Sequence, residues 1–364
     1  MSLKILHCIR NTDIGGIQRL VIELVIEQSR KGLDVALMLD ERNGHYYQYL
    51  LDENIKIIDS RIKGGLDFNL KTYIYLKRIY SSYDIIHLHS FTFLISAASR
   101  SSKAKVIYTL HGLSKNIRKE NFIKYFVRES FKRFYLNNAN FVIANSKFTL
   151  SLAKTHYGLN NLMTSVILNG INLTNKKTLT NNIYSEIFTI GLVSRFTHRK
   201  RIERLISAFE IYKSHDYFGQ LVILGDGETF DIISQKVNDS KYKSSIKLLG
   251  YKHNVEDYYN TFDICVFPSE NEPFGLVALE AYLYGKPVIS FSDSGGLLEV
   301  IEPLEPENIV ENEIQLSNRL EFYDRIKDQI PKNRKKRIDY AIDNFSIERM
   351  YNDYYNIYNK LINY

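Results

Sequence analysis

Two glutamates eight positions apart form the strongest chemical signal in the sequence. Glu272 and Glu280 lie in an apolar segment that predicts a loop followed by a helix over about 275–284. Because eight residues make about two helical turns, both carboxylates are expected near one face. They could accept hydrogen bonds from sugar or ribose hydroxyls, while the first N–H groups of the helix meet a phosphate. The structural alternative is that Glu272 caps the helix and Glu280 extends its charge to solvent.

A basic cluster precedes another predicted helix, which spans about 201–213. Arg195 and Lys200 follow a predicted strand over 188–194. An arginine fork and a lysine point charge together are well suited to a diphosphate. The alternative is a solvent-exposed helix start, but cations at that end oppose the helix dipole.

Glycines and a histidine follow other predicted strands. Gly15 and Gly16 come after the first strand, and Gly225 follows a strand in the second half of the chain. Glycine lets the backbone approach a ligand closely, although a tight turn explains each of these motifs equally well and neither has the spacing of a dinucleotide fingerprint. His111 ends a strand and could donate a hydrogen bond to a sugar hydroxyl or a phosphate.

The remaining histidines and cysteines predict core positions. His87 and His89 alternate with apolar residues and so share one face of a strand, as a metal pair would. No third ligand follows at a suitable spacing, so we predict no metal site there. His7 and His87 are predicted to be hydrogen-bonded core residues, and Cys8 and Cys265 small buried ones of a reduced protein.

These candidate residues need a scaffold, and the chain predicts one built from parallel sheets. Short apolar runs alternate with amphipathic segments, which indicates two Rossmann-like doubly wound α/β domains facing a cleft. The predicted strands cover 4–9, 35–39, 84–89, 105–110, 141–144, 188–194, 221–224, 246–249, 263–267 and 287–291. A polar stretch over 172–185 is predicted to link the halves. Ligands bind beyond the carboxyl ends of such strands, where the candidates lie.

Composition and charge narrow the class of protein. Hydrophobic residues make up 45% and charged residues 24% of the chain, which excludes general disorder. No apolar stretch approaches the roughly 18 residues of a membrane span, and no signal peptide is recognisable, so we expect a cytoplasmic protein. The net charge is +7. It is concentrated between Arg100 and Asn140, which predicts an anionic partner.

The segment 115–135 combines these cations with aromatic residues. One interpretation is an ordinary domain helix that buries Phe131 and Phe134 and exposes a basic rim. Another is an anionic membrane surface bound by this segment, with Lys124 and Arg128 among the cations and with the protein on the inner membrane face. Nucleic-acid binding would also use basic residues, but it leaves Glu272 unexplained, and we predict none.

The motifs together resemble the GT-B glycosyltransferases of family 4, the group 1 retaining enzymes. The resemblance rests on the spacing of Glu272 and Glu280 and of Arg195 and Lys200, and it covers nearly the whole chain. It implies an acceptor-binding domain over 1–172, a nucleotide-sugar-binding domain over 186–345 and a helix over 346–364 that crosses back. Nucleotide-sugar 2-epimerases and phosphorylases share this architecture and are the alternatives within the enzyme class.

The resemblance also implies roles for individual residues. Arg195 and Lys200 would neutralise the diphosphate of a UDP- or GDP-type donor, Glu280 would hold the ribose, and Glu272 the sugar. His111 would hydrogen-bond the donor sugar. The other donor-site residues implied are Gly15, Gly16, Gly225, Phe274, Gly275 and Leu276.

Two departures from the family pattern bear on the donor site. The usual glycine-rich segment after Glu299 is replaced by a shorter one over 301–308, and Gly112 follows His111 where several relatives carry Asp. In addition, no Asp-x-Asp motif occurs in the sequence. We therefore predict a metal-independent enzyme without a cofactor. Its acceptor would be a saccharide or a lipid-linked saccharide, as in bacterial surface polysaccharide or glycolipid synthesis, and the transfer would proceed by front-face attack with retention.

Overall fold

The computed structural model describes residues 3–62, 69–113, 122–159, 163–172 and 186–363. The chain forms two compact units, one of Met1–Asn172 with Ser346–Tyr364 and one of Leu173–Phe345. Most of the predicted linker, residues 173–185, lies outside the described residues.

The first unit is built on a seven-stranded parallel sheet with the strand order β3-β2-β1-β4-β5-β6-β7. Its strands are β1 (Lys4–Ile9), β2 (Asp34–Leu39), β3 (Lys56–Asp59), β4 (Ile85–Leu88), β5 (Lys105–Leu110), β6 (Phe141–Ala144) and β7 (Thr164–Val166). Its helices are α1 (Gly16–Arg30), α2 (Tyr47–Asp52), α3 (Leu70–Tyr80), α4 (Phe93–Arg100), α5 (Phe122–Asn137), α6 (Lys147–Tyr157) and α14 (Ile347–Ile362). The strand order reverses between β1 and β4, which is where ligands meet such sheets.

The second unit is built on a six-stranded parallel sheet with the order β10-β9-β8-β11-β12-β13. Its strands are β8 (Thr189–Val193), β9 (Gln220–Leu224), β10 (Ile246–Leu248), β11 (Ile264–Phe267), β12 (Val288–Phe291) and β13 (Ile309–Val310). Its helices are α7 (Ile202–Ser214), α8 (Phe230–Asp239), α9 (Val255–Thr261), α10 (Leu276–Leu283), α11 (Leu298–Ile301), α12 (Glu313–Arg325) and α13 (Arg334–Phe345). The order reverses between β8 and β11.

The predicted fold class is confirmed, since both sheets are parallel and interleaved with helices. The buried central strands coincide with the predicted apolar runs to within one or two residues. Three short strands, β3, β7 and β13, were not predicted, and all three are sheet edges. α12 ends at Arg325, and a 3-10 helix that contains Pro331 follows it. Proline cannot donate the backbone hydrogen bond that an α-helix needs.

α14 belongs to the first unit and carries its apolar face into that core. Met350, Tyr354 and Tyr358 are buried there beside residues of α1 and β1. The helix is capped at its start by Ser346, whose hydroxyl accepts a hydrogen bond from the backbone N–H of Arg349.

The short segment after Glu299 is anchored by a buried ion pair. Arg337 Nε lies 2.7 Å from Glu305 Oε1, and both side chains are less than a tenth exposed. Glu305 also accepts hydrogen bonds from the Val288 backbone and the Asn308 amide, while Arg337 donates to two backbone carbonyls. This network fixes α11 and the turn that follows it against α13.

Removing one member of this pair should destabilise the second unit strongly. Arg337→Met keeps most of the side chain but leaves the Glu305 carboxylate buried without its cation, which typically costs about 3–5 kcal/mol. We expect that loss in the free energy of unfolding measured by urea titration. Lys335→Met is the matched control, because Lys335 pairs with Asp339 on the exposed face of the same helix and such pairs contribute at most about 1 kcal/mol. Equal effects of the two substitutions would contradict this assignment.

Candidate functional site

The loop between β11 and α10 carries Glu272 and is tied to the loop after β12. The backbone N–H of Asn271 donates to Asp293 O (2.9 Å), and that of Glu272 donates to Ser294 O (3.0 Å). In return, Gly296 donates to Glu272 O (2.7 Å). These bonds extend the sheet by one parallel bridge beyond its last strand residues, and they hold the Glu272 backbone in place.

Two buried serines reinforce this junction, and no motif in the sequence points to them. The hydroxyls of Ser290 and Ser294 lie 2.6 Å apart. The Ser290 hydroxyl also lies 2.6 Å from Phe267 O, and the Ser294 hydroxyl lies 2.7 Å from Ser269 O, so two hydroxyl protons serve three short contacts. These contacts join the carboxyl end of β11 to the end of β12 and the loop that follows it.

The structure brings Glu272 and Lys200 together. Lys200 Nζ lies 2.8 Å from Glu272 Oε2, and Arg199 Nη2 lies 3.7 Å from Oε1. Burial by itself would raise the pKa of Glu272, but the charges of Lys200 and Arg199 outweigh it and leave the pKa below its ordinary value. Glu272 is therefore an ionised hydrogen-bond acceptor, as the prediction for a sugar-binding carboxylate requires.

Arg195 and Arg201, which lie on either side of Lys200 in the sequence, differ in whether they already pair with a carboxylate. Arg201 pairs with Glu270 and lies 2.9 Å from Asp293. Arg195 is exposed, and no acceptor for its guanidinium occurs in the part of the chain that the structure describes. Of the two predicted diphosphate ligands, Arg195 is thus the uncommitted one and Lys200 the one already paired.

Glu280 and the start of α10 occupy the next turns of the chain. Tyr259, which is buried, donates a hydrogen bond of 3.4 Å to Glu280 Oε2. Gly275 has a positive φ of 94°, and a Cβ there would lie 2.3 Å from the Leu297 side chain, so glycine is required. α10 has no side-chain cap, which leaves the first N–H groups of the helix near Leu276 available to an anion.

Phe274 and Gly225 each show a packing role, and Gly15 and Gly16 form the start of a helix. The Phe274 side chain is buried against Phe345, so a ligand could meet only its main chain. Gly225 has a φ of 136°, and a Cβ would overlap Ser194 O at 1.7 Å. Gly15 is extended and begins α1 without a side-chain cap. The binding roles of Phe274, Gly15, Gly16 and Gly225 stay predictions.

Four histidines meet at the carboxyl ends of β1, β4 and β5. His7 Nδ1 lies 2.9 Å from His89 Nε2, and His89 Nδ1 lies 3.1 Å from His111 Nε2. His87 contacts Thr109 through Nε2 (2.7 Å). The prediction that His7 and His87 are hydrogen-bonded core residues is confirmed, and His89 and His111 prove to belong to the same network.

These imidazoles are neutral at physiological pH. Burial lowers the pKa of His7 and of His111 from 6.5 to about 4. It lowers the pKa of His87 and His89 well below that ordinary value, and the neighbouring histidines add to the effect. Each ring therefore has one N–H donor and one lone-pair acceptor.

A third histidine lies close to His87 and His89, although no third ligand follows them at a suitable spacing in the sequence. Ring nitrogens of His7, His87 and His89 lie within 4.8 Å of one another, because β1 and β4 are neighbours in the sheet although distant in sequence. All six of these nitrogens already contact hydrogen-bond partners. A metal ion would have to replace those bonds, and the absence of a metal site stays a prediction.

The described part of the basic segment is α5. Ile123, Phe126 and Phe134 are 69%, 64% and 51% exposed, whereas residues 115–121 lie outside the described residues. The expectation that Phe134 is buried was wrong. Tyr135 fills the core instead, because adjacent helical positions point about 100° apart. Phe131 is half-buried and packs edge-on against Phe93.

The cations of α5 are also divided between core and surface. Lys132 lies over the ring of Tyr157, and its burial lowers its pKa. Arg128 pairs with Glu129, whereas Lys124 is exposed beside the apolar residues. No helix among the described residues combines the length and the apolar composition that crossing a membrane requires.

Two sequence models match the two halves of the chain. The model described as "Glycosyl transferases group 1" matches residues 176–346, and the one described as "Glycosyltransferase Family 4" matches residues 14–175. An uncharacterized 41.2 kDa protein in the cps region of Klebsiella pneumoniae is 28% identical over 77% of this chain and 79% of its own. The capsular polysaccharide biosynthesis glycosyltransferase CapM of Staphylococcus aureus is 29% identical over 33% of this chain and 32% of its own.

Solved structures share the fold over the whole chain. A glycosyltransferase from Rickettsia africae ESF-5 aligns with a TM-score of 0.77 and 20% identity, and the alignment covers 99% of both chains. Anabaena Alr3699/HepE in complex with UDP-glucose aligns with a TM-score of 0.75 and 19% identity, over 98% of this chain and 100% of that one. At such identities the likeness establishes the fold.

The neutral histidines predict that stability falls on mild acidification. Their folded-state pKa lies below the unfolded value, so the unfolded chain binds more protons between about pH 6.5 and 4, and stability is lost as the pH falls through that range. Each histidine can contribute up to about 1.4 kcal/mol per pH unit. Burial raises the pKa of Asp40 to about 6 and also raises the pKa of Asp263, so these two carboxyl groups act in the opposite direction, but they are two groups against four.

The measurement is the free energy of unfolding at pH 7.5, 6.0 and 5.0. His111→Gln should reduce the slope with pH, whereas His253→Gln, which changes an exposed histidine of the second unit, should leave it unchanged. A slope that is flat or reversed in the parent protein would show that the imidazoles are not buried in the neutral form.

Proposed function

The chain belongs to the group 1 glycosyltransferases of family 4, and we propose that it moves a sugar from a nucleotide-diphosphate sugar to a hydroxyl acceptor with retained anomeric configuration. The observation that carries this proposal is the ionised Glu272 held by Lys200 beside the uncapped start of α10. An acceptor for hydroxyls, a cation and free backbone N–H groups are the three features that a sugar diphosphate requires.

The proposed chemistry needs stabilisation of the leaving diphosphate more than a nucleophilic side chain. Arg195 and Lys200 would supply positive charge to the phosphate oxygens as the glycosidic bond breaks. The acceptor hydroxyl would attack from the same face and pass its proton to the departing phosphate oxygen. Two cations placed in this way support a reaction that does not depend on a metal ion.

The named relatives support an acceptor in surface polysaccharide synthesis. CapM is a capsular polysaccharide biosynthesis enzyme, and another relative in Staphylococcus aureus is a poly(ribitol-phosphate) α-N-acetylglucosaminyltransferase. The latter match covers 34% of this chain and 25% of that protein, at 28% identity. We propose a saccharide or lipid-linked saccharide as the acceptor.

We also propose that α5 holds the protein on an anionic membrane surface that presents such an acceptor. Ile123 and Phe126 expose apolar area, and Lys124 lies between them in sequence. Each lysine or arginine near an anionic surface contributes on the order of 1 kcal/mol, and exposed aromatic residues add burial in the interface.

The diphosphate proposal predicts different results for its two cations. Arg195→Ala should lower transfer by about two orders of magnitude or more, the scale of a lost transition-state donor. Its melting temperature should not change, since no described residue depends on it. Lys200→Ala should lower transfer and also stability, because Glu272 is left buried without its closest cation. Transfer assays and thermal melts of both variants test this.

Ligand and metal controls complete that experiment. A melting-temperature panel of UDP-, GDP-, ADP- and dTDP-sugars should select one nucleotide, since binding to the native state alone raises its melting temperature. Activity should survive EDTA, and the first product should retain the anomeric configuration by NMR. Full activity of Arg195→Ala, loss of activity in EDTA or an inverted product would each refute part of the proposal.

The membrane proposal predicts charge-dependent flotation with liposomes. The parent protein should float with phosphatidylglycerol-containing vesicles at low salt, and less at high salt or with phosphatidylcholine alone. Ile123→Ser with Phe126→Ser should abolish flotation. Phe218→Ser is the matched control, because Phe218 is 88% exposed in the other unit. Flotation that ignores lipid charge, or that survives the double substitution, would make α5 an ordinary surface helix.

A further inference from the structure

A chain of hydrogen bonds runs from Gln28 on α1 to His111 at the end of β5. The Gln28 side-chain oxygen contacts His7 Nε2 at 2.8 Å, and His7 Nδ1 contacts His89 Nε2 at 2.9 Å. His89 Nδ1 then contacts His111 Nε2 at 3.1 Å. Gln28, His7 and His89 are buried, so water cannot substitute for the partners along this part of the chain.

A second branch leaves the same glutamine in the opposite direction. The Gln28 amide nitrogen donates to Tyr358 Oη (3.3 Å), which contacts His87 Nδ1 (2.7 Å). His87 Nε2 contacts Thr109 Oγ1 (2.7 Å), and that hydroxyl contacts Tyr354 Oη (3.2 Å). Both branches therefore begin at one amide group whose oxygen and nitrogen have fixed roles.

The orientation of this amide determines which nitrogen of each ring carries the proton. An amide oxygen only accepts, so His7 must donate to Gln28 through Nε2–H. A neutral His7 then has a lone pair at Nδ1, which requires that His89 donate from Nε2. His89 therefore has its lone pair at Nδ1, and His111 must donate a hydrogen bond to that nitrogen from its own Nε2–H.

The chain ends at an acceptor without a partner. His111 Nδ1 is buried and has no hydrogen-bond partner among the described residues. Because the His111 proton is on Nε2, Nδ1 carries a lone pair and acts as a hydrogen-bond acceptor. An unpaired buried acceptor is costly, and a ligand that supplies an O–H or N–H donor would remove that cost. A phosphate oxygen could not, because it too is an acceptor.

We propose that Gln28 is a positioning residue that fixes the tautomer of His111, so that this histidine accepts a hydrogen bond and selects a ligand with a hydroxyl group. This reverses the donor role expected of His111 from the sequence. The inference rests on the proposed function only in identifying that hydroxyl as part of the transferred sugar; the tautomer itself follows from the hydrogen-bond chain.

The tautomer can be measured directly by NMR of the full-length protein labelled with ¹⁵N-histidine. Long-range ¹H–¹⁵N correlations distinguish a protonated from an unprotonated ring nitrogen, and His111→Gln identifies the His111 signals. We expect His7, His89 and His111 all to carry their proton on Nε2 at pH 7.5. A proton on Nδ1 of His111 would overturn the proposal, whether or not any nucleotide sugar binds.

A binding experiment tests the consequence for ligand choice. Gln28→Met removes both branches, while Gln48→Met makes the same change at an exposed glutamine on α2. With UDP-glucose and UDP as probes, or GDP-mannose and GDP if the nucleotide panel selects guanine, Gln28→Met should raise the Kd of the nucleotide sugar about tenfold, the worth of one hydrogen bond to a well-positioned partner. The Kd of the free nucleotide should not change.

The outcomes separate this proposal from the proposed function. If Gln28→Met weakens the binding of nucleotide sugar and of nucleotide equally, Gln28 is merely structural. If the binding of both is unchanged, the chain of hydrogen bonds does not affect the ligand. If no nucleotide sugar binds the parent protein, the proposed function fails, while the NMR result still decides the tautomer. The same NMR result decides it if Gln28→Met does not fold.

Discussion

The burial of the Glu272 carboxylate beside Lys200 is the interaction on which the loops of the second unit depend. A carboxylate that loses its water must be compensated by a cation and by hydrogen bonds. Lys200 comes from the turn after β8 and Glu272 from the loop after β11, so the pair requires these two loops to meet. The backbone bonds of Glu272 to the loop after β12 then bring in a third loop. One charge requirement thus joins the carboxyl ends of three strands.

The first unit also buries polar groups at the ends of its strands, but these groups are satisfied without ionisation. Its polar groups at the carboxyl ends of β1, β4 and β5 are imidazoles, and burial lowers their pKa so that they stay neutral. A neutral ring can both donate and accept, which lets His7, His89 and His111 satisfy one another in series. The second unit therefore fixes its groups by opposite charges, and the first unit fixes them by the direction of donors and acceptors.

The sequence was sufficient for the central strands and for motifs contained in a single short segment. Glu272 and the start of α10 are four residues apart, so their proximity follows from local geometry. Three of the four edge strands, β3, β7 and β13, were missed, because a short, half-exposed strand such as β3 lacks a continuous apolar run. Gln28 and Tyr358 were missed because they are 330 positions apart, and His7 and His89 are 82 apart. Contacts of that kind are set by strand order and by the docking of α14, which periodicity does not encode.

The charges around Glu272 also explain how the site could receive an anion without being rebuilt. Lys200 has three N–H donors, and Glu272 occupies one of them. Arg201 is held by Glu270 and Asp293, so its charge is largely cancelled. A phosphate that approached Lys200 could therefore accept a hydrogen bond from one of its other N–H groups while the Glu272 pair stayed intact. Groups that hold their positions before charge develops stabilise a leaving group without reorganisation, and that is the condition under which electrostatic catalysis is most effective.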